Sequence, residues 1–210
     1  MDYPILGRVI PPIAYLWVRK INGLENIPRG GGFIISPNHS SYADHLILSS
    51  IVIRNTHKKI CYLAKKEHFE TPFQRMWHEA TGAIPIDRQA GGKEALETAV
   101  KYLTQGKIIG IYPEGTRTLD GKLQRGKTGA ARLALAAKVP IVPVGLIGTF
   151  EILPKGKNIP KLKRAIVNIG KPIYFDKYYG KENDKKTIRL VTTKVMKEIA
   201  KLCKKKYGFD

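Results

Sequence analysis

At 210 residues, 43% of them hydrophobic, the chain has the length and apolar content for one domain with a sizeable core. Thirty-seven Lys and Arg against 17 Asp and Glu leave a formal charge of +20, more than solubility requires, so a polyanionic partner is expected: nucleic acid, anionic lipid or a phosphorylated ligand. The two cysteines, Cys61 and Cys203, lie far apart with no C-x-x-C pair or His cluster, which leaves a disulfide framework or structural zinc site without support and favours a reducing, cytoplasmic compartment.

Residues 1–18 are mostly apolar but carry Arg8 and prolines at 4, 11 and 12, and a spanning helix needs about 20 apolar residues. A signal peptide fits poorly, since no basic region precedes the apolar stretch and no small-residue cleavage site follows it. Residues 1–19 therefore read as a membrane-interface segment, with Tyr15 and Trp17 at headgroup depth and Arg19 and Lys20 on lipid phosphates, or as a segment packed on the domain formed by 20–210.

Short β-rich runs at 32–36, 60–64, 83–86, 107–112 and 141–147 alternate with helical patterns near 42–54, 71–80, 92–105 and 127–138. Ala95, Leu96, Ala99, Val100 and Leu103 share one face of the third helix, which Lys101 and Gly106 close. After a Pro/Gly/Lys-rich loop at 154–163, a strand at 165–170 and a basic helix from about Asp184 to Lys206 complete the chain, with a core stripe of Ile188, Val191, Val195, Ile199 and Leu202. This alternation predicts an α/β fold, a single domain with a mainly parallel β-sheet flanked by helices. Ligands of open α/β sheets gather in the loops at the strand ends.

The first such loop, Pro37-Asn-His39-Ser-Ser41-Tyr-Ala-Asp44, puts an imidazole and a carboxylate five positions apart at a helix start. His39 can accept a hydroxyl proton while Asp44, one turn onward, fixes its tautomer. Ser41-x-x-Asp44 is equally a capping box that stabilises the helix without any chemistry. His45, His57, His68 and His78 have no comparable partner in sequence and read as surface or packing residues.

The second loop, Pro113-Glu114-Gly115-Thr116-Arg117-Thr118, combines a glycine, two hydroxyls and an arginine able to grip phosphate bidentately. Between the two, Gly82-Ala-Ile-Pro-Ile-Asp87-Arg88 delivers an Asp-Arg pair to the same sheet edge. Residues Gly121 to Thr128 fit G-x-x-x-x-G-K-[ST], but a nucleotide-binding loop of that form springs directly from a buried strand, and here polar residues precede it.

Together these motifs resemble those of the glycerolipid acyltransferase family, typified by the 1-acyl-glycerol-3-phosphate (lysophosphatidate) acyltransferases. His39 and Asp44 match the signature dyad, Glu114 to Arg117 the acceptor-binding block, Gly82 to Arg88 a third block ending in a basic residue, and Val139 to Val144 an apolar, proline-bearing fourth. Ala64-Lys65-Lys66-Glu67 and Lys127-x-Gly129-Ala-Ala are also family-like, and the likeness covers roughly 20–150. One departure is Gly126, where the commonest family form has an aromatic residue before Lys127.

The resemblance implies that His39 is a general base oriented by Asp44, and that Arg117, Arg88 and Lys65 hold the phosphate of lysophosphatidate, with Glu114, Gly115 and Thr116 in the same binding block. It implies acyl-CoA or acyl-carrier protein as co-substrate, phosphatidic acid as product, and no metal or other cofactor. Backbone N–H groups near Ser41 are a candidate for oxyanion stabilisation. The basic charge then suits an anionic membrane surface, with the protein peripheral or monotopic on its cytoplasmic face. The rivals are the same chemistry on glycerol 3-phosphate or another lysophospholipid, a nucleic-acid-binding protein, for which no recognition motif is found, and a nucleotide-binding enzyme.

Overall fold

The structure, a computed structural model, describes residues 14–72, 75, 82–86 and 92–209. Runs of β-branched residues form seven strands: β1 (Val18–Asn22), β2 (Phe33–Pro37), β3 (Ile60–Lys65), β4 (Ala83–Ile86), β5 (Ile108–Gly110), β6 (Ile141–Ile147) and β7 (Ala165–Ile169). They make one sheet in the order β1-β7-β6-β2-β5-β3-β4. From β6 through β4 every pairing is parallel, whereas β7 runs antiparallel to β6 and β1 runs parallel to β7.

Among the described residues five helices flank the sheet: α1 (Ala43–Thr56), α2 (Gly92–Thr104), α3 (Gly129–Ala137), α4 (Thr149–Ile152) and α5 (Lys185–Cys203). Strand alternation splits the core in two. Phe33, Ile35, Ile108 and Val142 pack with Ile47, Leu48 and Ile51 of α1. Ile34, Ile109 and Ile141 pack on the other face with Ala99 and Leu103 of α2, Leu133 of α3, and Ile188, Val191, Val195 and Ile199 of α5. The expected α/β fold with a mainly parallel sheet is the fold observed.

β1 carries no clean alternation, because it is an edge strand with an irregular step between Val18 and Lys20 and with Arg19 and Lys20 exposed. It begins at Val18, so Arg19 sits inside the sheet and the 19/20 boundary falls within a strand. Tyr15, Trp17 and Val18 pack against the α1-side core. Residues 1–13 lie outside the described residues, as does most of the helix expected at 71–80, where Arg75 N–H donates to Thr71 O at 2.9 Å. The helix expected from about Asp184 to Lys206 is α5, and Asp184 caps it, accepting from the N–H groups of Lys186 and Thr187 at 3.2 Å each. Among the described residues no helix is long and apolar enough to cross a membrane.

Candidate active site

The parallel strands bring the C-terminal ends of β2, β5, β3, β4 and β6 to one sheet edge, and the loop after β2 is clamped there from four sides. Asn38, buried, exchanges two hydrogen bonds with the backbone of Leu146 on β6, at 3.1 and 2.7 Å. His39 N–H donates to Glu114 Oε1 at 2.7 Å, and His39 O accepts from Thr118 N–H at 3.0 Å. The hydroxyls of Ser40 and Thr149 meet at 2.9 Å, and Ser41 Oγ donates to Leu153 O at 2.9 Å. Although Asp44 Oδ1, buried, has no hydrogen-bond partner among the described residues, a loop held by so many hydrogen bonds keeps a side chain in one orientation.

That side chain is His39, whose Nδ1 lies 2.9 Å from Asp44 Oδ2. A carboxylate only accepts, so Nδ1 carries the proton and Nε2 is left as the basic nitrogen. The same Oδ2 accepts from the N–H groups of Ser40 and Ser41 at 2.8 Å each. The full capping box does not form, since Ser41 Oγ accepts from Ala43 N–H at 3.0 Å and not from Asp44 N–H; instead a single Asp44 oxygen holds the amides that lead into α1 and orients His39. It also means that the amides of Ser40 and Ser41 already have an acceptor, so the oxyanion role expected near Ser41 is not available to them.

His39 stacks on Tyr112, ring centroids 3.8 Å apart, and meets His45 edge-on at 5.4 Å. His45 Nδ1 lies 3.2 Å from the Tyr112 hydroxyl. Burial first, and then the neighbouring His39, lower the His45 pKa to about 4, so its imidazole stays neutral beside the pair. In sequence His45 reads as a surface or packing residue, and no motif singles out Tyr112. The available signal was alternation, since Gly110 and Tyr112 are two residues apart on one side of the chain that leaves β5.

His39, His45 and Tyr112 line a cavity of about 480 Å3, whose apolar walls include Leu63, Leu96, Ala99 and Leu133. In the Glu-Gly-Thr-Arg block, Glu114 is buried with both oxygens engaged, Oε1 by His39 N–H and Oε2 by Gln124 N–H at 2.7 Å. Burial raises its pKa and these two bonds oppose the rise. Gly115, at φ +72°, turns the chain; Gly115 and Thr116 are exposed, and the Lys127 side chain passes over the Gly115 Cα. Arg117 lies on the Tyr42 ring, Cζ 3.3 Å from its centroid, and its buried Nη1 has no hydrogen-bond partner among the described residues.

Lys65 ends β3 opposite Ile86 of β4, which puts its backbone at the same edge. Its side chain, and Asp87 and Arg88 altogether, lie outside the described residues.

The segment 121–128 is used internally. Gln124 N–H goes to Glu114, Gly126 N–H to the Tyr207 hydroxyl at 3.2 Å and Lys127 N–H to Pro113 O at 2.7 Å, so these amides do not converge on a phosphate. Gly126 is small because α5 presses on it: a Cβ there would stand 2.6 Å from Met196 Cγ. Among the described residues no cluster of His, Cys, Asp or Glu could hold a metal ion.

A family model described as Acyltransferase matches residues 18–147. The chain is 33% identical over 156 residues to a 1-acyl-sn-glycerol-3-phosphate acyltransferase of Bacillus subtilis (strain 168), covering 74% of this chain and 73% of that protein. It is 31% identical to a chloroplastic enzyme of the same name, BAT2, from Brassica napus, over 79% of this chain but only 50% of the plant protein. The fold matches the crystal structure of a 1-acyl-sn-glycerophosphate acyltransferase, PlsC, from Thermotoga maritima, with a TM-score of 0.71, 24% identity and coverage of 97% of this chain and 82% of that one. With its motif-bearing sheet edge and these relatives, the chain belongs to the acyltransferase family.

Proposed function

We propose that the protein transfers an acyl group from a thioester, acyl-CoA or acyl-carrier protein, to the sn-2 hydroxyl of 1-acyl-glycerol 3-phosphate, giving phosphatidic acid for phospholipid synthesis. The observation that carries this reading is the buried His39–Asp44 pair, whose His39 lines a largely apolar cavity large enough for part of an acyl chain. The names of the relatives supply the acceptor.

His39 Nε2 takes the proton of the lipid hydroxyl as its oxygen attacks the thioester carbonyl. A C–O bond forms, the C–S bond breaks, and the imidazolium returns its proton to the departing thiolate. Asp44 stabilises that imidazolium through Nδ1–H, and general base catalysis of this kind contributes on the order of 10² to 10⁴ in rate. No acyl-enzyme, metal or prosthetic group is needed, because the lipid hydroxyl is itself the nucleophile. Arg117, pre-oriented on Tyr42 with a buried N–H that has no partner among the described residues, receives the acceptor phosphate, joined by Arg88 and Lys65 as the family resemblance implies. Gly115 and Thr116 border that phosphate, and Glu114 serves by holding their turn. The acceptor resides in an anionic membrane, on whose cytoplasmic face the protein sits as a peripheral or monotopic enzyme.

The test is labelled acyl transfer from each donor, with lysophosphatidate, glycerol 3-phosphate and lysophosphatidylcholine competing in one reaction. Phosphatidate as the dominant product is expected. Preferential acylation of either competitor would overturn the assigned acceptor.

A further inference from the structure

The loop between α4 and β7, residues 154–164, carries Ile159 and Leu162 with 83% and 92% of their surface exposed. Single exposed apolar residues are ordinary. This pair, however, is interleaved with Lys155, Lys157, Lys161, Lys163 and Arg164, all exposed, in a stretch containing no acidic residue. The five cations have no carboxylate partner among the described residues. The loop is also ordered from within: Lys161 N–H donates to Ile152 O at 2.8 Å, and Trp17 Nε1–H to Lys161 O at 3.1 Å. Its apolar tips are thus held outward and have no core to join.

Topology directs those tips. β6 runs parallel to β2, so the chain leaving β6 emerges at the edge that holds His39. Leu153 O, at the start of the loop, accepts from Tyr42 N–H at 3.1 Å and from the Ser41 hydroxyl, which binds the loop base to the catalytic loop. Because β7 is antiparallel to β6 and β1 parallel to β7, residues 14–17 reach the same edge, bringing Leu16, 61% exposed. Tyr42 just before α1, Leu46 in its first turn and Leu119 after β5 add exposed apolar surface there. Apolar tips flanked by unpaired cations match the headgroup boundary of an anionic bilayer, where hydrocarbon and phosphate lie a few ångströms apart.

We propose that loop 154–164 seats the enzyme on anionic membranes, inserting Ile159 and Leu162 below the phosphates while its lysines and Arg164 bind them, so that the catalytic edge faces the lipid. The inference rests on the proposed membrane-borne acceptor only for its purpose, since the surface itself is defined by exposure and charge.

The experiment is co-sedimentation of the full chain with vesicles of phosphatidylglycerol and phosphatidylcholine. The double variant Ile159→Asp, Leu162→Asp is expected to bind at least about tenfold more weakly than wild type. Undiminished binding would overturn the proposal. A second measurement uses Leu162→Cys carrying an environment-sensitive fluorophore, selective because Cys61 and Cys203 are buried. Blue-shifted emission, quenched by brominated acyl chains, is expected, and unchanged emission would contradict insertion. Turnover of a water-soluble short-chain lysophosphatidate should be retained in the double variant; its loss alongside undiminished vesicle binding would mean that the loop serves the site and not the surface. Insertion by a protein that acylates none of the acceptors would uphold the loop's role and remove the proposed function instead.

Discussion

Glu114 Oε1 accepts the backbone N–H of His39 at 2.7 Å, across 75 residues of sequence, while Oε2 accepts that of Gln124. One buried carboxylate therefore joins the loop after β2 to the segment that leads into α3. In Glu114→Gln the amide nitrogen must face one of these two N–H donors, leaving it unsatisfied at a cost of about 1–3 kcal/mol. Denaturant unfolding should register that loss, and kcat should fall more than KM rises, because Glu114 bonds His39 N–H directly but reaches the acceptor only through the turn at Gly115 and Thr116.

Arg117→Lys keeps the charge but gives up both the planar fork and the stacking on Tyr42, whose ring centroid lies 3.3 Å from Cζ. The KM for lysophosphatidate is expected to rise about tenfold, equivalent to about 1.4 kcal/mol, with a larger rise in Arg117→Ala. Steady-state kinetics with the acceptor varied checks this, and an unchanged KM would remove Arg117 from the phosphate site.

His45 binds its proton only near pH 4 in the folded protein, against an ordinary value of 6.5. Between these values the unfolded chain holds more protons, so stability is fully present above about pH 6.5 and is lost as pH falls toward 4. About 2 kcal/mol should disappear between pH 7 and pH 5 in wild type but not in His45→Gln. Glu114, with its raised pKa, contributes with the opposite sign, so the quantity to compare is the difference between the two proteins' denaturation curves at the two pH values.

Ala99 is buried on α2 and lines the cavity with Leu63, Leu96 and Leu133. Ala99→Phe should fill part of that volume and shift donor preference toward shorter acyl chains, read from product chain lengths with a mixed donor pool. An unchanged chain-length profile would place the acyl chain elsewhere.

The parts of this fold that rest on local pattern are legible in the sequence. β2, β3, β4 and β6 are marked by β-branched runs, and α5 is marked by the stripe from Ile188 to Ile199. β1 is hidden because an irregular edge strand with two exposed cations lacks the period that betrays a half-buried one. The reversal of β7 against β6 is a pairing choice that no local signal encodes. At the site, the spacing of His39 and Asp44 announces the pair, yet only the fold reveals that Asp44 holds the amides of Ser40 and Ser41 with the same oxygen. It likewise takes the fold to show that Glu114 faces backbone amides, that His45 and Tyr112 surround the imidazole, and that Gly126 is small because α5 presses on it.

The decisive quantity is the rate of phosphatidate formation from labelled acyl-CoA, and separately from acyl-carrier protein, by wild type, His39→Ala and Asp44→Asn under identical vesicle conditions. Loss of about 10² to 10⁴ in kcat for His39→Ala, with the fold intact by circular dichroism and a smaller but clear loss for Asp44→Asn, is the expected result. Undiminished turnover in His39→Ala would contradict the assignment of this histidine as the base.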